Sequence, residues 1–248
     1  MIKLIVTAPR GKMDSLIVKE AVKAEDIQLV GCIGPVGRDY IGKDVGPVCG
    51  LPEPVGALVY DDIEQIIEAA DIVVDFSNRA LSMEILAACR AHKKPLICGT
   101  TGFSQEEVEK IEAAAKEIPL IKAANTSFMV NVMVKMMELA AEALGDKCKI
   151  EILDMHDEKK VDAPSGTALE FAEAMSEASG LPITEMDFHS VRAGDIPSSH
   201  TIYFGGKGER IELTHHAYNW ECYARGALEG VRFLVTKAAG LYAMNDVV

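Results

Sequence analysis

In the first half of the chain, apolar residues gather in short continuous runs. These are "KLIVTA" (3–8), "IQLVGCIG" (27–34), "GALVY" (56–60), "DIVVDFS" (71–77), "KPLICGTT" (94–101) and "PLIKAAN" (119–125). Runs without polar alternation are what strands buried on both faces produce. Between them the apolar positions recur at helical spacing, over about 12–24, 62–70, 80–92 and 105–117. Ser104 followed by Glu107 is a capping-box signature in front of "VEKIEAAAKEI", so it marks the start of the fourth helix. This alternation predicts an α/β fold, a Rossmann-like doubly wound parallel sheet with right-handed crossovers.

The pattern changes after about residue 126. A helical stripe over about 129–144 is followed by a strand, "CKIEILDMH" (148–156), and by a helix from Gly166 to about Ala178. Three further strands follow: "DFHSVRAG" (187–194), "HTIYFGG" (200–206) and "RIELTHHAY" (210–218). The last two flank "GKGE", a turn signal, which predicts an antiparallel pair. No helical stretch separates these three, so this part predicts a second, smaller α+β domain. A final helix over about 222–238 returns to the first domain. The expected division is 1–126 plus 221–248 for the first domain and 127–220 for the second.

Composition narrows the partners. The net charge of −13 argues against nucleic acid or an anionic membrane surface. An anionic small molecule stays compatible if local positive charge captures it. The six cysteines include no C-x-x-C pair, so the zinc and thioredoxin signatures are lacking, and no metal site is expected. Several sit in apolar runs, which suits reduced, buried thiols in the cytoplasm. The opening "MIKLIVTAPRGKMD" is too short in its apolar part for a secretion signal. No run approaches the ~20 apolar residues of a membrane span.

Open parallel sheets bind ligands beyond the carboxyl ends of their strands. Four loops leave there: "APRGKMD" (8–14), "DFSNRA" (75–80), "GTTGF" (99–103) and "AANTSF" (123–128). All are rich in residues that allow close backbone approach or supply hydrogen bonds. The first is the usual place for a dinucleotide pyrophosphate, at a helix N-terminus. The register of a glycine fingerprint falls on Ala8, Gly11 and Asp14, so one glycine is left. Asp14 suits a first helical turn but occupies the field of a phosphate, a repulsion Arg10 and Lys12 could offset. The plainer alternative is a strand–helix turn with two exposed cations. After the second strand, Gly34 and Pro35 stand where an acid for the ribose hydroxyls is common. Arg38 is either a partner for a 2′-phosphate or an exposed loop arginine.

"HDEKKVDAPSGTA" (156–168) holds the most chemistry in the fewest residues. His156 ends a strand and can donate a proton near neutral pH. Lys160 adds a point charge. Ser165, Gly166 and Thr167 open a helix whose N–H groups and hydroxyls suit a carboxylate. Singly, each has an ordinary explanation, such as a helix cap or a solvated charge. His215 and His216 are adjacent in a strand, so they face opposite sides. No ligand spacing joins them to His189 and His200 as a metal cluster.

Taken together, "DFS" (75–77), "CGTTGF" (98–103), "AANTSFMVNVM" (123–133), "KVDAPSGTA" (160–168), "SVRAGDIPSSHT" (190–201) and "GLYAMNDV" (240–247) resemble the dihydrodipicolinate reductase family over nearly the whole chain. The resemblance implies a dinucleotide-binding first domain and a second domain for substrate binding and oligomerisation. It further implies hydride transfer from NADH or NADPH to a cyclic unsaturated dicarboxylate of the diaminopimelate and lysine pathway, in a homotetramer. Carried over, His156 is the proton donor and Lys160 its catalytic companion. Ser165, Gly166 and Thr167 are the carboxylate turn. Ala8, Arg10, Gly11, Lys12, Met13 and Phe76 border the coenzyme, as do Gly99, Thr100, Thr101, Ala124 and Asn125. The departures are Ala8 and Asp14 for glycines, Gly34 for an acid, Thr126 for a phenylalanine, "HDEKK" for a more basic segment, and Trp220 for an arginine. Asp157 and Glu158 are therefore expected to stabilise a protonated His156. Two rivals stay open: a non-catalytic metabolite- or nucleotide-binding paralogue, and a reductase of a different imine.

Overall fold

The structure is a computed structural model that describes residues 1–248. Its contacts divide the chain into two units, Met1–Phe128 with Tyr223–Val247, and Met129–Cys222 with Val248. The chain runs β1 (Ile2–Thr7), α1 (Lys12–Lys23), β2 (Ile27–Ile33), α2 (Val45–Val48), β3 (Leu58–Tyr60), β4 (Ile72–Asp75), α3 (Arg79–Ala91), β5 (Leu96–Cys98), α4 (Gln105–Ala115) and β6 (Pro119–Lys122). It continues through α5 (Phe128–Leu144), β7 (Lys149–His156), α6 (Gly166–Ser179), β8 (Asp187–Arg192), β9 (Ser198–Gly205) and β10 (Arg210–Ala217), and closes with α7 (Glu221–Leu234) and β11 (Gly240–Tyr242).

In the first unit, seven strands form one parallel sheet in the order β11-β6-β5-β4-β1-β2-β3. The strand order reverses at β1, between β4 and β2, which is the switch point of a doubly wound sheet. Alternate side chains of β1 explain the continuous apolar run. Leu4 and Val6 pack with Val18, Leu228 and Val231 on one face, and Ile5 packs with Val73, Ile85 and Leu120 on the other.

Three details differ from expectation. Residues 62–70 form two 3₁₀ turns, Ile63–Gln65 and Ile67–Ala69, in place of a helix. Ile63, Ile66, Ile67 and Ala70 are buried as the spacing predicts. The backbone breaks at Ile66, with φ −135°, in a stretch whose β-branched isoleucines favour a helix weakly. α7 stops at Leu234, short of 238. The three-residue β11, which lies in no apolar run, pairs with β6.

In the second unit the sheet order is β10-β9-β7-β8. β9 and β10 are antiparallel as expected, but β8 lies parallel to β7, with α6 as the crossover. One face is covered by α5 and α6, through Val130, Met133, Met137, Phe171 and Met175 against Ile150, Ile152, Ile202 and Phe204. Two helices thus cover this face. The pairing puts Leu153, Met155, Val191 and Tyr203 on the opposite face, all at least partly exposed. β7 alternates strictly, so Ile150, Ile152, Asp154 and His156 share the inward side. At its carboxyl end that side changes from apolar to ionisable.

Candidate functional site

At the sheet edge of the first unit, the loop after β1 turns sharply. Gly11 N donates to Ala8 O at 2.6 Å, and Ala8 N to Ile33 O at 2.7 Å. Ala8 has φ +40°, in the left-handed region where a glycine would be unstrained. Gly11 is the N-cap of α1 and makes no side-chain cap. A Cβ on it would lie 2.7 Å from Asp14 Oδ2 and 2.9 Å from Ala8 O, so only glycine fits. A helix N-terminus with a bare glycine surface fits a dinucleotide pyrophosphate.

Asp14 corrects the expectation of like charge facing a phosphate. It is buried and turns inward, accepting from Phe76 N at 3.1 Å and lying 3.2 Å from Thr7 Oγ1. Burial first, and the Asp75 charge second, hold its carboxyl well above the usual carboxylate range. Buried and held inside the loop by Phe76 N, the carboxyl does not stand in the open field of a phosphate as expected. Arg10 is paired with exposed Asp39 at 3.2 Å and stacks over Tyr40 at 4.6 Å. The missing acid after β2 also has a reason, because a Cβ on Gly34 would meet the buried Tyr40 ring at 2.6 Å.

Met13, Phe76, Ser77, Arg79, Gly99, Thr100 and Thr101 line a cleft of about 570 Å³. The Phe76 ring lies over Gly99, where a Cβ would come within 2.1 Å of it. Beneath, Asp75 accepts from Thr7 Oγ1 at 2.8 Å, from Ser77 Oγ at 2.5 Å and from Ser82 Oγ. Thr100 Oγ1 is 2.8 Å from Ser82 Oγ, which ties the "GTTGF" loop to the same carboxylate. Ala124 is exposed and Asn125 half-buried, its Oδ1 accepting from Ser127 N at 2.9 Å. Thr126 Oγ1 donates to Tyr223 O at 2.8 Å, and Gly226 leaves no room for a Cβ beside Thr126 O. Lys12 is exposed at the first residue of α1.

In the second unit His156 is buried, 8% exposed, with Nδ1 3.1 Å from Asp154 Oδ1. Its ring stands edge-on to His200, centroids 5.2 Å apart. Burial foremost lowers its proton affinity, the Asp154 hydrogen bond opposes that, and the Lys160 and Arg192 charges add to the lowering. The carboxylate facing His156 is thus Asp154, not Asp157 or Glu158 as expected. Glu158 is exposed, and Asp157 closes a turn by accepting from Lys159 N at 2.9 Å. Lys160 pairs with Asp162 at 2.9 Å and is about a quarter exposed.

The anion turn is split. Ser165 is buried, its hydroxyl accepting from Ala168 N at 3.2 Å and lying 3.3 Å from His200 Nε2. Its N–H donates to Asp154 Oδ2 at 3.3 Å. Ser165 therefore builds the helix start, while Gly166, with open space over its Cα, and half-exposed Thr167 face outward.

Sequence reasoning assigned no role to Asp154, Ser190, Arg192 and His200. Asp154 accepts from Ser190 Oγ at 2.6 Å and from Arg192 Nη1 at 2.6 Å. Burial works to raise its pKa, but these donors and Ser165 N outweigh it and hold Asp154 below the usual carboxylate range. His200 has no exposed surface, and burial drives its pKa down to about 3. No group of His, Cys, Asp and Glu could hold a metal ion, and no helix is long and apolar enough to cross a membrane.

Comparison with known proteins gives one family. The pattern described as dihydrodipicolinate reductase, N-terminus, matches residues 2–126, and that described as dihydrodipicolinate reductase, C-terminus, matches residues 129–248. The chain is 36% identical over 264 residues to a 4-hydroxy-tetrahydrodipicolinate reductase of Syntrophus aciditrophicus (strain SB), covering 100% of this chain and 98% of that one. It is 35% identical over 262 residues to the protein of the same name from Alkalilimnicola ehrlichii, covering 99% and 98%. Among solved structures, a dipicolinate-bound dihydrodipicolinate reductase from Paenisporosarcina sp. TG-14 matches with a TM-score of 0.83 at 24% identity, with 100% of both chains covered. An amine dehydrogenase from Mycobacterium smegmatis shares the fold, with a TM-score of 0.67 at 14% identity over 98% of this chain and 95% of that one.

Proposed function

The chain belongs to the dihydrodipicolinate reductase family, a family of NAD(P)H-dependent oxidoreductases, and from that premise we propose that it reduces a 4-hydroxy-tetrahydrodipicolinate-type cyclic dicarboxylate in diaminopimelate and lysine biosynthesis. The observation that carries this is the second unit's end of β7, where His156, Lys160 and the open start of α6 come together. A carboxylate is met there by the Gly166 and Thr167 end of α6 and by the Lys160 ammonium. Ser165 supports that turn from beneath. His156 delivers a proton beside the carbon that is reduced.

The coenzyme is NADH or NADPH. Ala8, Arg10, Gly11, Lys12 and Met13 hold its pyrophosphate end at α1. Phe76, Gly99, Thr100 and Thr101 border the ring end, with Ala124 and Asn125 beside them. Bound there, it supplies the hydride. The partly exposed Leu153, Met155, Val191 and Tyr203 face supports assembly of a homotetramer through the second unit. Six free cysteines fit a reducing cytoplasm.

The rival paralogue without catalysis rests on the eroded glycine loop. Freshly generated 4-hydroxy-tetrahydrodipicolinate, mixed with the chain and either coenzyme, is expected to bleach the nicotinamide absorbance. No bleaching with either coenzyme, while both still bind by fluorescence titration, would favour the rival.

A further inference from the structure

Asp154 is 1% exposed and ionised, which a protein tolerates only when the lone pairs of the carboxylate are filled. Four donors fill them, from three elements: β7, β8 and the start of α6. His156 Nδ1 approaches Oδ1 at 3.1 Å from the same strand face. Arg192 Nη1 reaches Oδ1 at 2.6 Å, and Ser190 Oγ reaches Oδ2 at 2.6 Å, both from β8. Ser165 N, at the start of α6, reaches Oδ2 at 3.3 Å. Arg192 then extends to Asp162 O at 2.5 Å, on the loop that carries Lys160. His156 Nε2 has no protein partner and is not among the sealed polar atoms of the unit.

We propose that Asp154 is the positioning residue of this site: it fixes His156 as the Nδ1–H tautomer, so that the proton leaves from Nε2, and it clamps the 157–165 loop that presents Lys160. The proposal rests on the proton-donor role given above to His156.

The chemistry follows from what a carboxylate can do. Ionised, it only accepts, so Nδ1 keeps its hydrogen whether the ring is neutral or charged. In the step itself, the Nε2–H bond of the imidazolium breaks with its electron pair left on Nε2, and the proton forms a C–H bond with the electron pair of the enamine or carbanion that hydride addition leaves on the substrate. The ring is left neutral, with Nδ1–H still on Asp154, and solvent restores the proton.

The groups facing His156 are Asp154 on β7, Lys160 on the following loop, Arg192 on β8 and His200 on β9. His215 on β10 faces His200 in turn. Of the charged groups acting on His156, Lys160 and Arg192 lower its proton affinity and Asp154 raises it. Asp154→Asn keeps the shape and removes that support. The precedent for a misplaced tautomer is a loss of about 10⁴ in kcat.

Nitrogen NMR of the His156 ring reads the tautomer without turnover. The neutral ring of the wild type is expected as Nδ1–H, and an Nε2–H ring would overturn the proposal. In Asp154→Asn, kcat should fall ~10²–10⁴-fold with little change in KM, and the basic limb of the pH–rate profile should move to lower pH. An unmoved limb with an unmoved His156 titration would overturn it as well. If Asp154→Asn does not fold, the wild-type tautomer still decides. A wild-type kcat in His156→Ala, by contrast, removes the premise and leaves the tautomer result standing on its own.

Discussion

His200 makes acid a specific weakness of the second unit. The ring has no exposed surface, lies between Ser198 and Ser165, and packs edge-on against His156 and Phe171. Its pKa is pushed down to about 3 by burial, against an ordinary value near 6.5. Between those values the unfolded chain takes up a proton that the folded chain refuses. Stability is then complete above about pH 6.5 and falls as pH drops towards 3. At pH 5 the linkage amounts to about 2 kcal/mol, a figure that hardly changes if the folded value lies anywhere below about 4.

The assay is urea unfolding at pH 7.5 and pH 5, read by the fluorescence of Trp220, the single tryptophan of the chain and a residue of the second unit. His200→Gln keeps a hydrogen-bonding group between the two serines and does not titrate. The wild type should lose about 2 kcal/mol more than His200→Gln between the two pH values. Equal losses would refute the argument. His156 and His215 push in the same direction, but they remain in both proteins.

Other outcomes follow from the first unit and from Lys160. Asp14 is buried and its folded pKa is raised, so the wild type loses stability as pH rises from about 4 through that folded value. Asp14→Asn should gain on the wild type in melting temperature over that range, and a constant difference would contradict the buried-acid account. Ala8→Gly relieves a left-handed residue, worth about 1–2 kcal/mol, partly offset by the added freedom of glycine in the unfolded chain. Stability should change by less than about 1 kcal/mol while the coenzyme dissociation constant falls. Unchanged or weaker coenzyme binding would place the pyrophosphate elsewhere. Lys160→Ala should raise KM, because the ammonium holds a carboxylate, and an unchanged KM would remove it from the substrate.

The parallel sheet was legible because strands buried on both faces leave continuous apolar runs, as in "KLIVTA" and "DIVVDFS". β11 was not, because "GLY" (240–242) lies in no apolar run, whereas the equally short β3 and β5 sit inside "GALVY" and "KPLICGTT". Asp14 was misplaced for a reason that the pattern itself contains. It shares the buried stripe of α1 with Ile17, Val18 and Ala21, but a first-turn acid also looks like a helix-dipole residue. Asp154 was likewise available from strict alternation, two residues before His156. Its meaning depends on Arg192, 38 residues later, and on a parallel β7–β8 pairing that local pattern does not encode. The expected role of Asp157 and Glu158 failed because neighbours along a chain are not neighbours in space.

The pH–rate profile of His156→Ala tests the central claim most directly. The wild type should show a basic limb, reporting loss of the proton from the His156 imidazolium. In His156→Ala, kcat should fall ~10²–10⁴-fold with little change in KM, and that limb should disappear. A variant with wild-type kcat and the same basic limb would contradict the account.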